Sequence, residues 1–266
     1  MRCKQIIMLV MVMGIMAGCK KESVIKKPTD TTKIEVKVKD TIYLVNKMVT
    51  NQLLTPSPVT QTETFTYNSS GQVTKHSVAY KSYTQNYTTN YAVLYNDGKV
   101  SEVQRSGGKH NIWDKLVFTY SGNDIKVLYV YPTSESSIVI TVNSKGRPEK
   151  VQGNGQFYMF KYDDSGNIIN RSQYENVNPT RATVVNNYTY DKKRSPFLSQ
   201  RDNNYILYLA FNDIYTHINN RINTNNLEVY DLVYNDGGYP EKMTVVHSSV
   251  AVRKVDYTYT TIIKTK

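Results

Sequence analysis

The chain has 266 residues, 39% of them hydrophobic, and a formal net charge of +11 from 33 Lys and Arg against 22 Asp and Glu. Such a length and composition fit one large all-β domain or two ordinary ones, and they exclude both a disordered chain and a bundle of membrane-spanning helices. The basic residues are scattered with no dense run, which favours solvated strand faces over a nucleic-acid footprint.

The chain opens with Arg2 and Lys4, runs apolar from Ile6 to Met16, and reaches Met16-Ala17-Gly18 before Cys19. A charged start, a short apolar core and small residues at the cut make residues 1–18 a secretory signal peptide. The apolar run falls short of the roughly 20 residues that a bilayer-spanning helix needs. Ala17-Gly18-Cys19 resembles the lipobox of bacterial lipoproteins, which implies a diacylglyceryl and acyl anchor on Cys19. Two or more acyl chains anchor stably, since each buried CH₂ adds about 0.8 kcal/mol. Cys3 leaves with the leader, so the mature chain keeps Cys19 alone and has no internal disulfide, Cys-ligated metal or free cysteine nucleophile. Loss of Arg2 and Lys4 leaves 31 basic residues against 22 acids, or +9. Residues 19–38, rich in Lys and Thr with Pro28, read as a flexible tether reaching on the order of 25 Å.

Residues 39–266 read as one repeat-built β domain. Thr41 to Val45 is a first strand, Lys47 to Thr50 continues it, and Pro56-Ser57-Pro58 interrupts pairing, because proline lacks the donor a ladder needs. A turn cassette then recurs: an aromatic residue, small polar residues with a glycine, and an apolar residue opening the next run. It is plainest at Tyr95-Asn96-Asp97-Gly98-Lys99-Val100 and returns, with variations, at Tyr67, Tyr120, Val142, Tyr162, Tyr190 and Tyr234. Asn and Asp tolerate left-handed backbone and Gly takes it freely, so each cassette is a hairpin signal. Between cassettes the apolar residues alternate: Leu116, Phe118 and Tyr120; Tyr158, Phe160 and Tyr162; Leu227, Val229 and Val233; Val255, Tyr257 and Tyr259. Their polar alternates, such as Thr119, Lys161, Asp256 and Thr258, place one face in water. The 23 Tyr against 6 Phe and 1 Trp suit strands where a ring packs and its hydroxyl stays wet.

The fold expected is therefore all-β, a long antiparallel meander of about 12–14 strands forming a curved sheet or partly closed barrel. A membrane-spanning barrel would need apolar, lipid-facing bands that this alternation does not supply. One interval departs from the repeat. Between Tyr190 and Tyr234, the apolar positions Ile206, Leu209, Ala210, Ile214 and Ile218 recur at three and four, predicting a short helix near 203–217 that covers the sheet or plugs its concave side. A further strand through Tyr205 to Phe211 is the competing expectation.

The Tyr-Asn/Asp-x-x-Gly cassettes look like the tyrosine-aspartate repeats of the RHS class. The lipobox, Tyr43-Leu44-Val45-Asn46-Lys47, the run of cassettes and Tyr190-Asp191-Lys192-Lys193-Arg194-Ser195-Pro196-Phe197 together resemble Bacteroidetes lipoproteins of a domain-of-unknown-function family with a porin-like β fold. The resemblance implies that fold and a bacterial outer-membrane, lipid-anchored location, and it implies no activity.

No catalytic or metal constellation stands out. His76, His110, His217 and His247 are far apart and outside any metal-binding spacing, so surface positions are expected for them. Asp163-Asp164 sits in a cassette, where carboxylates accept turn bonds. No cofactor is expected, and no catalytic residue is assigned. The candidate ligand-binding residues are Trp113, Tyr158, Tyr205 and Tyr208. Two roles fit: a non-catalytic binding module for a glycan or another envelope polymer, or a structural protein that docks an envelope partner. Substituting Cys19→Ser is expected to move the protein from the membrane fraction to the soluble fraction in detergent phase partitioning. Retention in the membrane fraction would refute lipidation.

Overall fold

Strands with one apolar and one polar face must bury the first, and this chain does so by wrapping the whole meander around it. The computed structural model describes residues 39–54, 58–108, 112–198 and 218–265. They form β1 (Lys39–Gln52), β2 (Val59–Tyr67), β3 (Val73–Lys81), β4 (Asn86–Asn96), β5 (Lys99–Gly107), β6 (Lys115–Ser121), β7 (Asp124–Val130) and β8 (Glu135–Val142). The second half comprises β9 (Pro148–Gly153), β10 (Gln156–Tyr162), β11 (Ile168–Glu175), β12 (Asn178–Arg194), β13 (Asn219–Thr224), β14 (Glu228–Tyr234), β15 (Pro240–His247) and β16 (Val250–Thr265). Each strand pairs antiparallel with the next, and β1 pairs with β16 from Lys39↔Thr265 to Gln52↔Arg253, which closes a sixteen-stranded barrel.

The all-β meander of the sequence reading is what forms, with more strands than the expected 12–14 and with full closure. Each interval between cassettes holds two strands, twelve in all, and β1 and β2 before Tyr67 with β15 and β16 after Tyr234 bring the count to sixteen. Closure follows from β1 being one continuous strand. A bulge at Asn46, between Val45 and Lys47, lets its pairing with β16 run through. The leader, the tether, the expected helix near 203–217 and the Pro56-Ser57 interruption lie outside the described residues.

The cassettes gather at one rim. In the Tyr95 turn, Asp97 and Gly98 both take positive φ, 50° and 73°, the type I′ geometry that matches the twist of a hairpin. Just past most of these turns the returning strand carries one extra residue. Thr66↔Lys75 is followed by Tyr67↔Val73, Leu94↔Glu102 by Tyr95↔Val100, and Lys161↔Asn170 by Tyr162↔Ile168. A bulge of this kind breaks the ladder locally, and the carbonyl beside it takes a tyrosine hydroxyl from the following cassette instead. Tyr95 Oη donates to Val73 O at 2.7 Å, Tyr120 Oη to Val100 O at 2.8 Å and Tyr190 Oη to Ile168 O at 2.6 Å. Tyr67 donates likewise to Val45 O, Tyr162 to Pro148 O and Tyr259 to Pro240 O. The exception supports the rule: β6 and β7 pair without a bulge from Ser121↔Asp124 through Tyr120↔Ile125, and the next cassette has Val142 where a tyrosine would stand. These hydroxyls are thus committed to backbone rather than wet, which corrects the sequence expectation.

Above this rim the inner faces form a core. Val100, Val103, Leu116, Val127 and Ile140 have no accessible surface, so this part of the interior is filled. Phe197, which follows β12, stacks edge-on against Phe65 of β2 at 5.6 Å between centroids. The contact joins strands six apart around the barrel. Three of the four alternations read from sequence face inward. The exception is β14, where Tyr230 and Leu232 point in while Val229 and Val233 are 44% and 56% exposed. Tyr230 sits opposite the fully buried Val245, and that register decides the face.

The outer face is polar over long stretches. On β2 it is Thr60, Thr62, Thr64 and Thr66; on β16 it is Lys254, Asp256, Thr258 and Thr260; elsewhere Lys126, Gln152, Lys161, Asp231 and Lys242 interrupt the apolar positions. A membrane-spanning barrel instead presents a continuous apolar belt to lipid.

Burial holds the hydroxyls of Tyr67, Tyr162, Tyr190 and Tyr259 well above the ordinary phenol pKa of 10.0. Their unfolded counterparts ionise first as pH rises. Above about pH 10 the unfolded state therefore binds fewer protons than the folded one, and stability falls with rising pH. Tyr67→Phe is expected to cost about 1 kcal/mol at pH 7 and to make that alkaline decline shallower, as read by urea unfolding at a series of pH values. A wild-type profile that stays flat beyond pH 10 would count against the account.

Candidate inner-wall binding site

Charged side chains enter the inner face where the aliphatic core gives way toward the opposite rim. They occupy the same alternate positions as the core residues. Arg105 follows Val103 on β5, Arg171 lies opposite Phe160 on β11, Arg221 lies opposite Tyr190 on β13, and Arg253 precedes Val255 on β16. All four are half-buried.

The guanidiniums are interleaved with tyrosines. Arg171 lies over the Tyr158 ring at 4.5 Å, and Arg221 lies over Tyr188 at 4.6 Å and over Tyr230 at 5.6 Å. Partly desolvated cation–π contacts of this kind orient a planar cation against a ring. Tyr230 Oη donates onward to Glu228 Oε2 at 2.7 Å. Burial raises the hydroxyl pKa of Tyr188 and of Tyr91, while the neighbouring cations, Arg221 and Arg171 for the first and Arg105 for the second, pull the other way. Gln173, half-buried and in phase with Arg171, adds an amide to the same wall, and its Nε2 donates to Gln156 Oε1 at 2.8 Å. Flat rings, amides and fixed cations together can stack on sugar faces and satisfy hydroxyl or anionic oxygens.

On the β2–β5 side lies a buried polar pair. His76 Nε2 and Glu63 Oε2 are 2.8 Å apart, and Gln61 Nε2 donates to Glu63 Oε1 at 2.8 Å. The His76 ring stacks between Phe65 and Tyr91, at 4.4 and 5.5 Å, and Tyr91 continues to Trp113 at 5.7 Å. His76 is only 1% exposed, which overturns the expectation of a surface histidine. A polar residue inside an otherwise mixed strand gives no facing until its partner register is known. His247 is exposed as expected, and His110 and His217 lie outside the described residues.

Of the candidate ligand residues, Trp113 is buried at 7% within the core, and Tyr158 is half-buried on the inner wall beneath Arg171. The two sit in different parts of the interior. Tyr205 and Tyr208 lie outside the described residues. Asp163 accepts the Gly166 and Asn167 backbone N–H groups at 2.6 and 2.7 Å, the turn role expected of it. The four inward arginines were missed, although their period-two phase with Val103 and Val255 is visible in the chain.

The interruption of the repeat has its own geometry. The chain leaves β12 and returns to β13 through Ser195 N–H donating to Ile218 O at 3.0 Å. Asn167 Oδ1 accepts the Ile218 and Asn219 N–H groups at 3.0 and 2.9 Å. Tyr234 breaks the hydroxyl-to-carbonyl series by donating to the Asp191 carboxylate, which also accepts from Asn220 N–H. An open cleft of about 550 Å³ lies beside this knot, lined by residues that include Ser165, Ile169, Tyr190 and Lys192. Its two carboxylates, Asp163 and Asp191, are occupied in holding backbone.

No protein-family model matches the chain, and no curated protein matches it in sequence. Among solved structures, it is similar to a porin-like protein from Bacteroides uniformis, with 14% identity, a TM-score of 0.42, and coverage of 81% of this chain and 98% of that one. It is also similar to a porin-like protein from Bacteroides vulgatus, with 13% identity, a TM-score of 0.34, and coverage of 82% and 99%.

Removing one member of a buried pair leaves the other polar group stranded, whereas replacing both with apolar groups does not. Glu63→Ala is expected to lower stability by about 3 kcal/mol in chemical denaturation, and the double variant Glu63→Leu with His76→Phe to recover most of that loss. Equal losses in both would show that the pair is not what the site depends on.

Proposed function

We propose that this chain is a lipid-tethered cell-envelope protein of the bacterial outer membrane whose barrel stands in water and holds a glycan or similar envelope polymer without chemistry. The observation that carries the binding role is the inner wall of half-buried Tyr158, Arg171 and Arg221, where guanidiniums lie over the Tyr158 ring and the buried Tyr188 and Tyr230 rings at 4.5 to 5.6 Å. The leader and Cys19 support the tether. Polar outer faces on β2 and β16 fit a barrel held beside a membrane rather than in it, and the filled core above the turn rim is unsuited to conduction.

A structural protein that docks an envelope partner by strand addition needs a free sheet edge. Pairing of β1 with β16 removes the two edges at the ends of the meander, so the binding reading has the better support. Its test is a glycan array followed by calorimetry on the mature chain carrying Cys19→Ser. Binding is expected, with at least tenfold loss in Tyr158→Ala. An array without a single hit, or a hit whose affinity ignores Tyr158, would overturn the proposal.

A further inference from the structure

The charge of the inner wall points to the class of ligand. Resting on the binding role proposed above, we infer that the bound polymer is acidic, a glycan whose sugars carry carboxylate or sulfate groups. Four guanidiniums, on β5, β11, β13 and β16, take inward positions. The carboxylates on this wall are already engaged or peripheral. Glu63 holds His76, Glu228 accepts from the Tyr230 hydroxyl, and Glu175 is exposed at the rim.

Arg253 is the most telling of the four. It stands opposite the fully buried Val245 and next but one to Val255, so its side chain is directed inward. Its Nε is buried and has no hydrogen-bond partner among the described residues. Buried N–H groups are nearly always paired, and a guanidinium presents its donors as a planar fork that matches the two oxygens of a carboxylate or sulfate. Among the described residues no carboxylate pairs with Arg253, and an acidic sugar reaching the half-buried guanidinium would supply the missing charge. On the outer face of β15 and β16, by contrast, Lys242 stands beside Glu241 and Lys254 near Asp256.

The experiment compares matched ligands that differ only in charge. Oligogalacturonates and their methyl esters, and chondroitin sulfate oligosaccharides and their desulfated, carboxyl-esterified forms, are titrated into the mature Cys19→Ser chain at two salt concentrations. The charged member of at least one pair is expected to bind tenfold or more tightly than its neutral form, and to weaken as salt rises. Arg253→Gln should remove most of that preference while leaving the thermal midpoint within a few degrees, and Arg253→Lys should restore part of it. Equal affinity for charged and neutral members would overturn the acidic-ligand inference and leave the glycan role standing. Absence of binding to every pair, together with an empty neutral glycan array, would remove the role itself.

Discussion

A carbonyl next to a β-bulge has lost its ladder partner, and in this barrel the missing donor is a tyrosine hydroxyl from the next hairpin. Val45, Val73, Val100, Pro148, Ile168 and Pro240 all accept in this way. The bond joins neighbouring strands, so most of the turns are fastened to the one before. A bulge also sharpens local twist and bends its strand, which a sheet needs if it is to close on itself. Curvature and its compensation therefore come from the same repeated unit. Where β6 and β7 pair without a bulge, Val142 replaces the tyrosine, as expected if the hydroxyl exists to satisfy the carbonyl that a bulge exposes.

Wrapping the sheet divides the chain's side chains between two environments. The outward set includes the four alternate threonines of β2 together with exposed apolar residues such as Val139, Ile169, Val229 and Val233. The inward set is aliphatic near the turn rim and becomes aromatic and cationic further up, where Arg171 and Arg221 lie over tyrosine rings. A sixteen-stranded barrel has room for an aqueous lumen, but here Phe197 reaches Phe65 across the interior and aliphatic layers fill the lower part.

The turn chemistry was legible because it is local. Asp97-Gly98 specifies its own backbone geometry, and period-two alternation around Leu116, Tyr158 and Val255 specifies which side chains share a face. The same reading failed at Val229 and Val233. Their strand, β14, has apolar residues in both phases, and only pairing with β15 selects between them. His76 failed for a related reason: its burial depends on Phe65, Glu63 and Tyr91, which come from two neighbouring strands. The inward arginines were passed over because a charged residue in a strand is ordinarily read as solvated, and only a closed wall gives it no other direction to point.

By itself the amino-acid sequence determined an all-β hairpin meander and the positions of its turns, since each depends on residues within a few positions of one another. Tertiary structure alone decided that the meander closes, which face of β14 is buried, and that Glu63 meets His76 and Arg221 lies over Tyr188. Those outcomes depend on strand register and on contacts between distant segments, and a shift of one residue in register would turn every side chain of a strand to the opposite face.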